Sequence, residues 1–209
     1  RQAVLSGLFD AIALSSDSPE MLVIAKEHGA TVLVDRPVEM ATDTAAKLPV
    51  IRHCVAEAER ILGVTFDTCV DLDATSPLRA VEDIHAVVQL LEGRSVSNVI
   101  TAMPARRSPY FNLIEQDEHG VIRLAKPVSP PYVRRQDAPA CFDMNASIYA
   151  WSRNALINAP GLFNSDTLLY VMPEERSIDI DSEVDFLLVE LLMSRIEHRT
   201  KAASAGGRS

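Results

Sequence analysis

With 209 residues, 47% of them hydrophobic and 23% charged, the chain reads as an ordinary soluble globular protein: one large domain, or a domain with a small appendage. A net charge of −9 is the wrong sign for gripping nucleic acid through its phosphates, so an anionic ligand would need a local cluster of Arg or Lys, or a metal. Cys54, Cys69 and Cys141 form neither a zinc pattern nor a disulfide framework and point to a reducing cytoplasm, while no signal peptide or membrane-spanning apolar run is visible.

Arg1 to Gly7 has the form of a helix end closed by Gly7, with no start of its own, so an upstream segment is expected. Asp10 to Ser15 reads as a short buried strand. Ser16-Asp17-Ser18-Pro19-Glu20 then opens a helix, Met21 to His28, which Gly29 ends. Thr31 to Val34 is the next strand, and this strand–helix–strand rhythm signals a parallel sheet with crossover helices. A loop from Arg36-Pro37 leads to Asp43 or Thr44 as a cap, then to a helix over Ala45 to Leu62. Its apolar stripe runs through Leu48, Ile51, Val55, Ala58 and Ile61, with His53 on the solvated side.

Phe66 to Leu72 is an apolar strand leading directly into Asp73-Ala74-Thr75-Ser76-Pro77-Leu78-Arg79. A helix over Val81 to Leu91 and a strand over Val96 to Met103 follow. From Pro104 to Phe142 prolines and basic residues are dense, and Asp117 to Gly120 forms a hairpin turn between Leu113-Ile114 and Val121-Ile122. This is an excursion from the sheet, a lid or an oligomerisation arm. Met144 to Trp151, Tyr170 to Met172 and Ser177 to Ile180 are expected strands. Arg153 to Asn158 is a short helix. Ser182 to Ile196 is a longer helix with a stripe through Val184, Leu187, Leu188, Leu191 and Leu192, opened by the capping pair Ser182 and Asp185. Residues 1–103 and 143–198 thus make an α/β domain, 104–142 an arm, and 199–209 a disordered tail.

Ligands of an open parallel sheet bind beyond the carboxyl ends of its strands. Three polar clusters fall there: Ser15-Ser16-Asp17, Asp73 to Arg79, and Asp179 with Asp181. On an extended strand Asp179 and Asp181 share one face, which suits a hard cation such as Mg²⁺; the plainer alternative is an edge strand with acids facing water. Thr75 and Ser76 offer hydroxyls before a helix N-terminus, or simply cap it. Arg134-Arg135-Gln136 is either a solvated turn or an arginine fork for a carboxylate or phosphate. Asn145, on a buried strand, must find partners in the backbone or a ligand.

These pieces, in this order, resemble the CMP–acylneuraminate synthetases, cytidylyltransferases that activate sialic and related nonulosonic acids. The likeness runs from Gly7 to about Ile196. It rests on Ser15 to Ser18, Arg36 to Thr44, Thr75 to Ile84, Arg134 to Asp137, Asn145 to Tyr149, and Arg176 to Asp181. The resemblance implies a Rossmann-like, mostly parallel sheet with helices on both faces, of the nucleotide-diphospho-sugar transferase type. It also implies a dimerisation arm and a homodimer or dimer of dimers in the cytoplasm, with neither nucleic acid nor membrane as partner. The implied reaction joins CTP to an acidic nine-carbon sugar and releases pyrophosphate. Asp179 and Asp181 would be catalytic and hold Mg²⁺; either Asp181 would act on the sugar hydroxyl, or the metal would lower that hydroxyl's pKa instead. Arg36 would contact the nucleotide, and Asp73, Thr75, Ser76, Arg135, Gln136 and Asn145 the sugar.

The sequence departs from that pattern in several places. A phosphate-cradling loop normally precedes the point where this chain begins; it is expected upstream, since a sheet lacking its first strand would expose a central edge. Asp73-Ala74 stands where Gln-Pro is frequent, which suggests a different nonulosonic acid. Lys47 stands where Ser is common, and Ala146-Ser147 where Gly-Ala is. Two other readings stay open: a 3-deoxy-octulosonate-type cytidylyltransferase, and a degenerate nucleotide-binding protein without turnover.

Overall fold

The computed structural model describes residues 1–42 and 44–206, with side chains described as far as residue 196. Helix α1 (Gln2–Ser6) ends at Gly7, whose φ of 63° is the left-handed turn that glycine adopts most readily. Strand β1 (Ala13–Ser16), helix α2 (Pro19–Glu27) and strand β2 (Val32–Asp35) form the expected unit, with β1 and β2 parallel. The Ser18 hydroxyl accepts the Met21 N–H and caps α2. Helix α3 (Lys47–Leu62) starts at Ala46 without a side-chain cap, so Thr44 does not fill that role, and Asp43 lies outside the described residues. Pro49 sits in its first turn, where a missing N–H breaks no helical bond.

Strand β3 (Thr68–Leu72), helix α4 (Val81–Arg94) and strand β4 (Asn98–Pro104) follow. The excursion carries a two-stranded hairpin, β5 (Ile114–Gln116) with β6 (Ile122–Leu124). Strand β7 (Phe142–Ser152), helix α5 (Arg153–Asn158), strand β8 (Leu168–Val171) and helix α6 (Glu183–Gly206) complete the chain.

The main sheet has the order β3-β7-β4-β8. Strands β4 and β8 are parallel, and β7 runs against both β3 and β4, so β3, β4 and β8 share one direction. The alternation along β4 and β7 sorts the core onto two faces. Val99, Ile148 and Ala150 pack with Ile84, Val87 and Leu91 of α4. Ile100, Tyr149 and Trp151 pack on the other face against Leu48, Ile51 and Val55 of α3. Further along α3, Ala58 packs with Val32 and Val34 of β2, so this one helix spans the main sheet and the β1–β2 pair.

Opposite Thr101 of β4, strand β7 carries a bulge: Ile100 pairs with Tyr149 and Ala102 with Met144. Four residues, 145–148, therefore face one, and Ala146 takes a φ of 47°.

Several expectations change. Ser177 to Ile180 is not a strand: after a 3-10 turn (Glu174–Arg176) the segment runs beside the Thr75 loop, bonded through Ile180 N–H to Thr75 O at 3.0 Å, and no strand pairs with it. His53 is half-buried, with Nδ1 enclosed, because α3 packs across two sheets rather than one. Ile61 is exposed at the far end of the α3 stripe. On α6 only Val189 is buried among the described apolar residues, while Val184, Leu187, Leu188 and Leu191 are exposed. That helix continues to Gly206, into the stretch expected to be disordered; residues 207–209 lie outside the described residues.

Candidate active site

The carboxyl end of β3 turns directly into Asp73, Thr75 and Ser76, and the segment after β8 brings Asp179 against them. The Thr75 Oγ1 lies 2.6 Å from Asp179 Oδ1 and 2.9 Å from Asp73 Oδ1. The Ser76 Oγ lies 3.2 Å from the same Asp179 oxygen and 3.0 Å from the Asn145 carbonyl. Each hydroxyl has one proton to donate. Two hydroxyl protons therefore face four acceptor contacts; Asp73 is served besides by the Thr75 N–H and by Lys47, whereas Asp179 Oδ1 depends on hydroxyls shared with other acceptors and can take a cation or a ligand's own donor.

The β7 bulge supplies the Asn145 carbonyl. The Asn145 side chain is buried and engaged inside the protein: Oδ1 accepts from Thr101 Oγ1 at 2.7 Å and from Ser147 N at 3.2 Å, and Nδ2 reaches the Met172 sulfur at 3.4 Å. Asp181 is exposed, two residues beyond Asp179. Arg36 lies at the end of β2, where Nε donates to Ser15 Oγ at 3.2 Å. Arg135 sits on the arm in a 3-10 turn with Gln136, and its guanidinium donates to the Ala105 carbonyl at 2.7 Å. Among the described residues, no hydrogen bond or ion pair joins Arg36, Arg135 or Gln136 to the Thr75 cluster. Cys54 on α3 lies close enough to both regions to feel a charge from each. Burial pushes its thiol up to about 11, with Asp71 adding to the rise and Arg36 opposing it.

Three participants were given no role in the reading of the sequence. The first is Lys47, the opening residue of α3, whose ammonium lies 2.6 Å from Asp73 Oδ2, 3.0 Å from Asp71 Oδ2 and 4.9 Å from the Tyr149 ring centre. Burial pulls Lys47 down, but the two carboxylates outweigh it and raise its pKa. Burial likewise pushes Asp73 up, yet the bonds from Lys47 and Thr75 hold it below the ordinary carboxylate range. Asp71 goes the other way: burial dominates and raises it despite Lys47.

The second is Arg79. Its guanidinium donates to the Ser147 carbonyl at 2.6 Å and to Gln2 Oε1 at 3.2 Å, tying the bulge and α1 to the loop. The third is a clamp beneath that loop. Asp83, fully buried on α4, accepts two bonds from Arg176 at 2.8 Å, one from the Tyr170 hydroxyl at 3.1 Å and one from Ala80 N–H at 2.8 Å. Arg176 is three residues before Asp179, so the clamp fixes where that carboxylate falls. The signal for Lys47 was visible: like Asp73 it stands where the resemblance drawn above has another residue, and the two are partners.

A cleft of about 740 Å³, lined by Asp67, Glu92, Ser97 and Asp166 among others, opens at the opposite end of the sheet. Two of its acids already accept bonds from neighbours: Glu92 from Thr68 at 2.9 Å, and Asp166 from Ser97 N–H at 2.8 Å. The site is therefore assigned to the Thr75 end, where separate segments of the chain bring carboxylates and hydroxyls together.

A family model described as cytidylyltransferase matches residues 1–166. Post-translational flagellin modification protein B of Campylobacter coli is 43% identical over 192 residues, covering 92% of this chain and 80% of that protein. CMP-N,N'-diacetyllegionaminic acid synthase of Campylobacter jejuni subsp. jejuni serotype O:2 is 43% identical over 193 residues, covering 92% of this chain and 81% of that one. Among solved structures, CMP:2-keto-3-deoxy-manno-octonic acid synthetase complexed with CTP matches with a TM-score of 0.60 over 93% of this chain and 85% of that chain. At 14% identity that is a likeness of fold.

Proposed function

The chain belongs to the cytidylyltransferase family, and from that premise we propose that it transfers CMP from CTP to the anomeric hydroxyl of an acylneuraminate or related nonulosonic acid, releasing pyrophosphate. The observation that carries this reading is the acceptor surplus around Asp179. Oxygen donors in excess of protons fit a hard divalent cation. Asp179 and Asp181 would hold Mg²⁺, which as a Lewis acid stabilises charge on the phosphates. Thr75 and Ser76 orient Asp179 and meet the sugar. Asp73 accepts from a sugar donor, and Asn145 shapes the pocket through the bulge. Asp181 takes the proton of the attacking hydroxyl. Arg36 contacts the nucleotide from the β2 end. Arg135 and Gln136 reach the sugar from the arm of a second copy.

That last assignment needs a homodimer or a dimer of dimers. In its support, α6 exposes Leu187 and Leu191 and the arm exposes Val133, apolar side chains that a second copy could cover. The free cysteines suit a cytoplasmic protein, the net charge gives no reason to invoke nucleic acid, and no described helix is long and apolar enough to cross a membrane.

The test is pyrophosphate release from CTP by the full natural protein with Mg²⁺ and a panel of nonulosonic acids. Asp179→Asn and Asp181→Asn are each expected to abolish release while circular dichroism stays native. Silence with every sugar, or full activity in either variant, would overturn the reading.

A further inference from the structure

The pairing of β3 with β7 ends where the site begins. Leu72 stands opposite Ile148, and past that pair the backbones share a bond from Asp73 N–H to Ser147 O, stretched to 3.3 Å. Arg79 takes over there. Its Nη1 donates to the Ser147 carbonyl at 2.6 Å and its Nη2 to the Asp73 carbonyl, so one guanidinium grips a carbonyl of the bulge and a carbonyl of the loop. We propose that Arg79 is a positioning residue for the transfer: it sets the spacing between the Thr75 loop and the β7 bulge, and so brings the Ser76 hydroxyl to Asp179. The proposal rests on the cytidylyl transfer above and deepens it.

The first argument is the cost of putting a guanidinium there. A buried charge is expensive unless it is paired and its donors are met. Arg79 is 7% exposed, yet among the described residues no carboxylate bonds or pairs with it. Its acceptors are the carbonyls of Ser147 and Asp73, the Ser147 hydroxyl and the Gln2 amide. Burial pulls its pKa below the ordinary arginine value, and Asp73, Asp71 and Asp179 oppose that pull through space. For packing alone an apolar side chain would serve at least as well. What the guanidinium adds is a rigid set of donors aimed at backbone oxygens of two segments.

The second argument is what that spacing controls. Ser76 belongs to the loop and Asn145 to the bulge, and the Ser76 Oγ stands 3.0 Å from the Asn145 carbonyl and 3.2 Å from Asp179 Oδ1. Moving the bulge against the loop therefore moves this hydroxyl off one partner or the other. Thr75 is insulated from such a shift, because its hydroxyl meets Asp73 and Asp179 and no atom of the bulge. Arg79 thus acts through Ser76. The brace is fixed from α1: Gln2 Oε1 accepts from Arg79 Nε at 3.2 Å, while Gln2 Nε2 donates to the carbonyls of Pro77, at 2.8 Å, and of Arg79. A lysine at position 79 would keep the charge on a single nitrogen and lose the planar fork that spans both carbonyls.

The experiment measures pyrophosphate release by the full natural protein and by Arg79→Lys, Ser76→Ala, their double variant and Gln2→Met, with CTP, Mg²⁺ and the best sugar of the panel. Each is assayed well below its own thermal midpoint, so that only folded protein is read. Arg79→Lys is expected to lower kcat by about tenfold or more. Its KM for CTP should stay within about twofold, since Arg36 hangs on β2. In the Ser76→Ala background the same substitution should cost no more than about a further twofold, the non-additivity of two residues acting as one. Gln2→Met, which leaves Arg79 in place and frees its Nε, should lower kcat by about threefold in the same pattern. Full kcat in folded Arg79→Lys overturns the proposal, as do fully additive losses in the double variant or a loss carried by the KM for CTP. If Arg79→Lys does not fold, Gln2→Met alone and combined with Ser76→Ala decides by the same criteria. No release by the natural protein with any sugar overturns the transferase reading and this proposal with it; turnover by the natural protein that Arg79→Lys matches overturns the proposal alone.

Discussion

Replacing Arg176 by Met is expected to lower the thermal midpoint by about 5–10 °C. Asp83 is fully buried and holds four hydrogen bonds, two of them from Arg176. Methionine keeps much of the stem's packing and removes the charge, leaving a buried carboxylate with only the Tyr170 hydroxyl and the Ala80 N–H. Breaking a buried ion pair from one side costs about 3–5 kcal/mol. Arg176 keeps 34% of its side chain in water, so its attraction is screened and water can partly replace it. The figure is discounted accordingly to about 2–3 kcal/mol. For a chain of this size each kcal/mol moves the midpoint by about 2–4 °C. Calorimetry or circular dichroism reads the shift. The double variant Asp83→Asn/Arg176→Met removes the stranded charge and should be less destabilised than the two single effects summed. Turnover should fall together with stability, because the segment that carries Asp179 loses its anchor. A drop under about 2 °C, or strict additivity in the double variant, would refute the reasoning.

Ala146→Gly should stabilise the fold by about 1 kcal/mol, read as a higher urea midpoint, because a φ of 47° is strained for any residue with a Cβ. The stability gap between the natural protein and Lys47→Met should be widest near neutrality. Asp73 is depressed in the fold, so its contribution is present above the unfolded value of about 4 and is lost as pH falls through its lower folded value. Asp71, raised by burial, takes up its proton at higher pH, so the gap begins to narrow before pH 4 is reached; urea titrations at several pH values follow it. At the alkaline end the raised Lys47 keeps its proton past about 10.4, and the gap closes only above that. Leu187→Glu with Leu191→Glu on the exposed stripe of α6 should shift sedimentation toward the monomer without lowering the thermal midpoint of the monomer.

The alternation of apolar runs with capped helices was enough to place β1 to β4 and the helices between them. Local signals such as Gly7, the Ser182–Asp185 pair and the Asp117 to Gly120 turn stand where they were expected. What misled was periodicity read without a partner. Ile178-Asp179-Ile180-Asp181 alternates like a strand, yet a strand needs a neighbouring ladder, and the neighbour here is the Thr75 loop. The stripe on α6 has helical spacing and forms a helix, but spacing does not say what covers it; Val184, Leu187, Leu188 and Leu191 are exposed, and Val189, off the stripe, is buried.

The site was legible as a set of segments and not as a set of bonds. Asp73, Thr75, Ser76 and Asp179 were each visible at a chain turn, because hydroxyls and carboxylates beyond strand ends are the residues such sheets use. Their meeting depends on two things the linear pattern hides. One is the bulge at 145–148, which aims the Asn145 carbonyl at Ser76 and keeps its amide inside. The other is the Asp83–Arg176 clamp, which joins α4 to the segment before Asp179 across 93 residues of chain. Both lie under the site, and they set the one quantity from which its chemistry follows, the excess of acceptors over protons around Thr75. Loosening either would let a hydroxyl rotate away and leave Asp179 without a fixed partner. Weakening the support should therefore show in turnover before it shows in the fold.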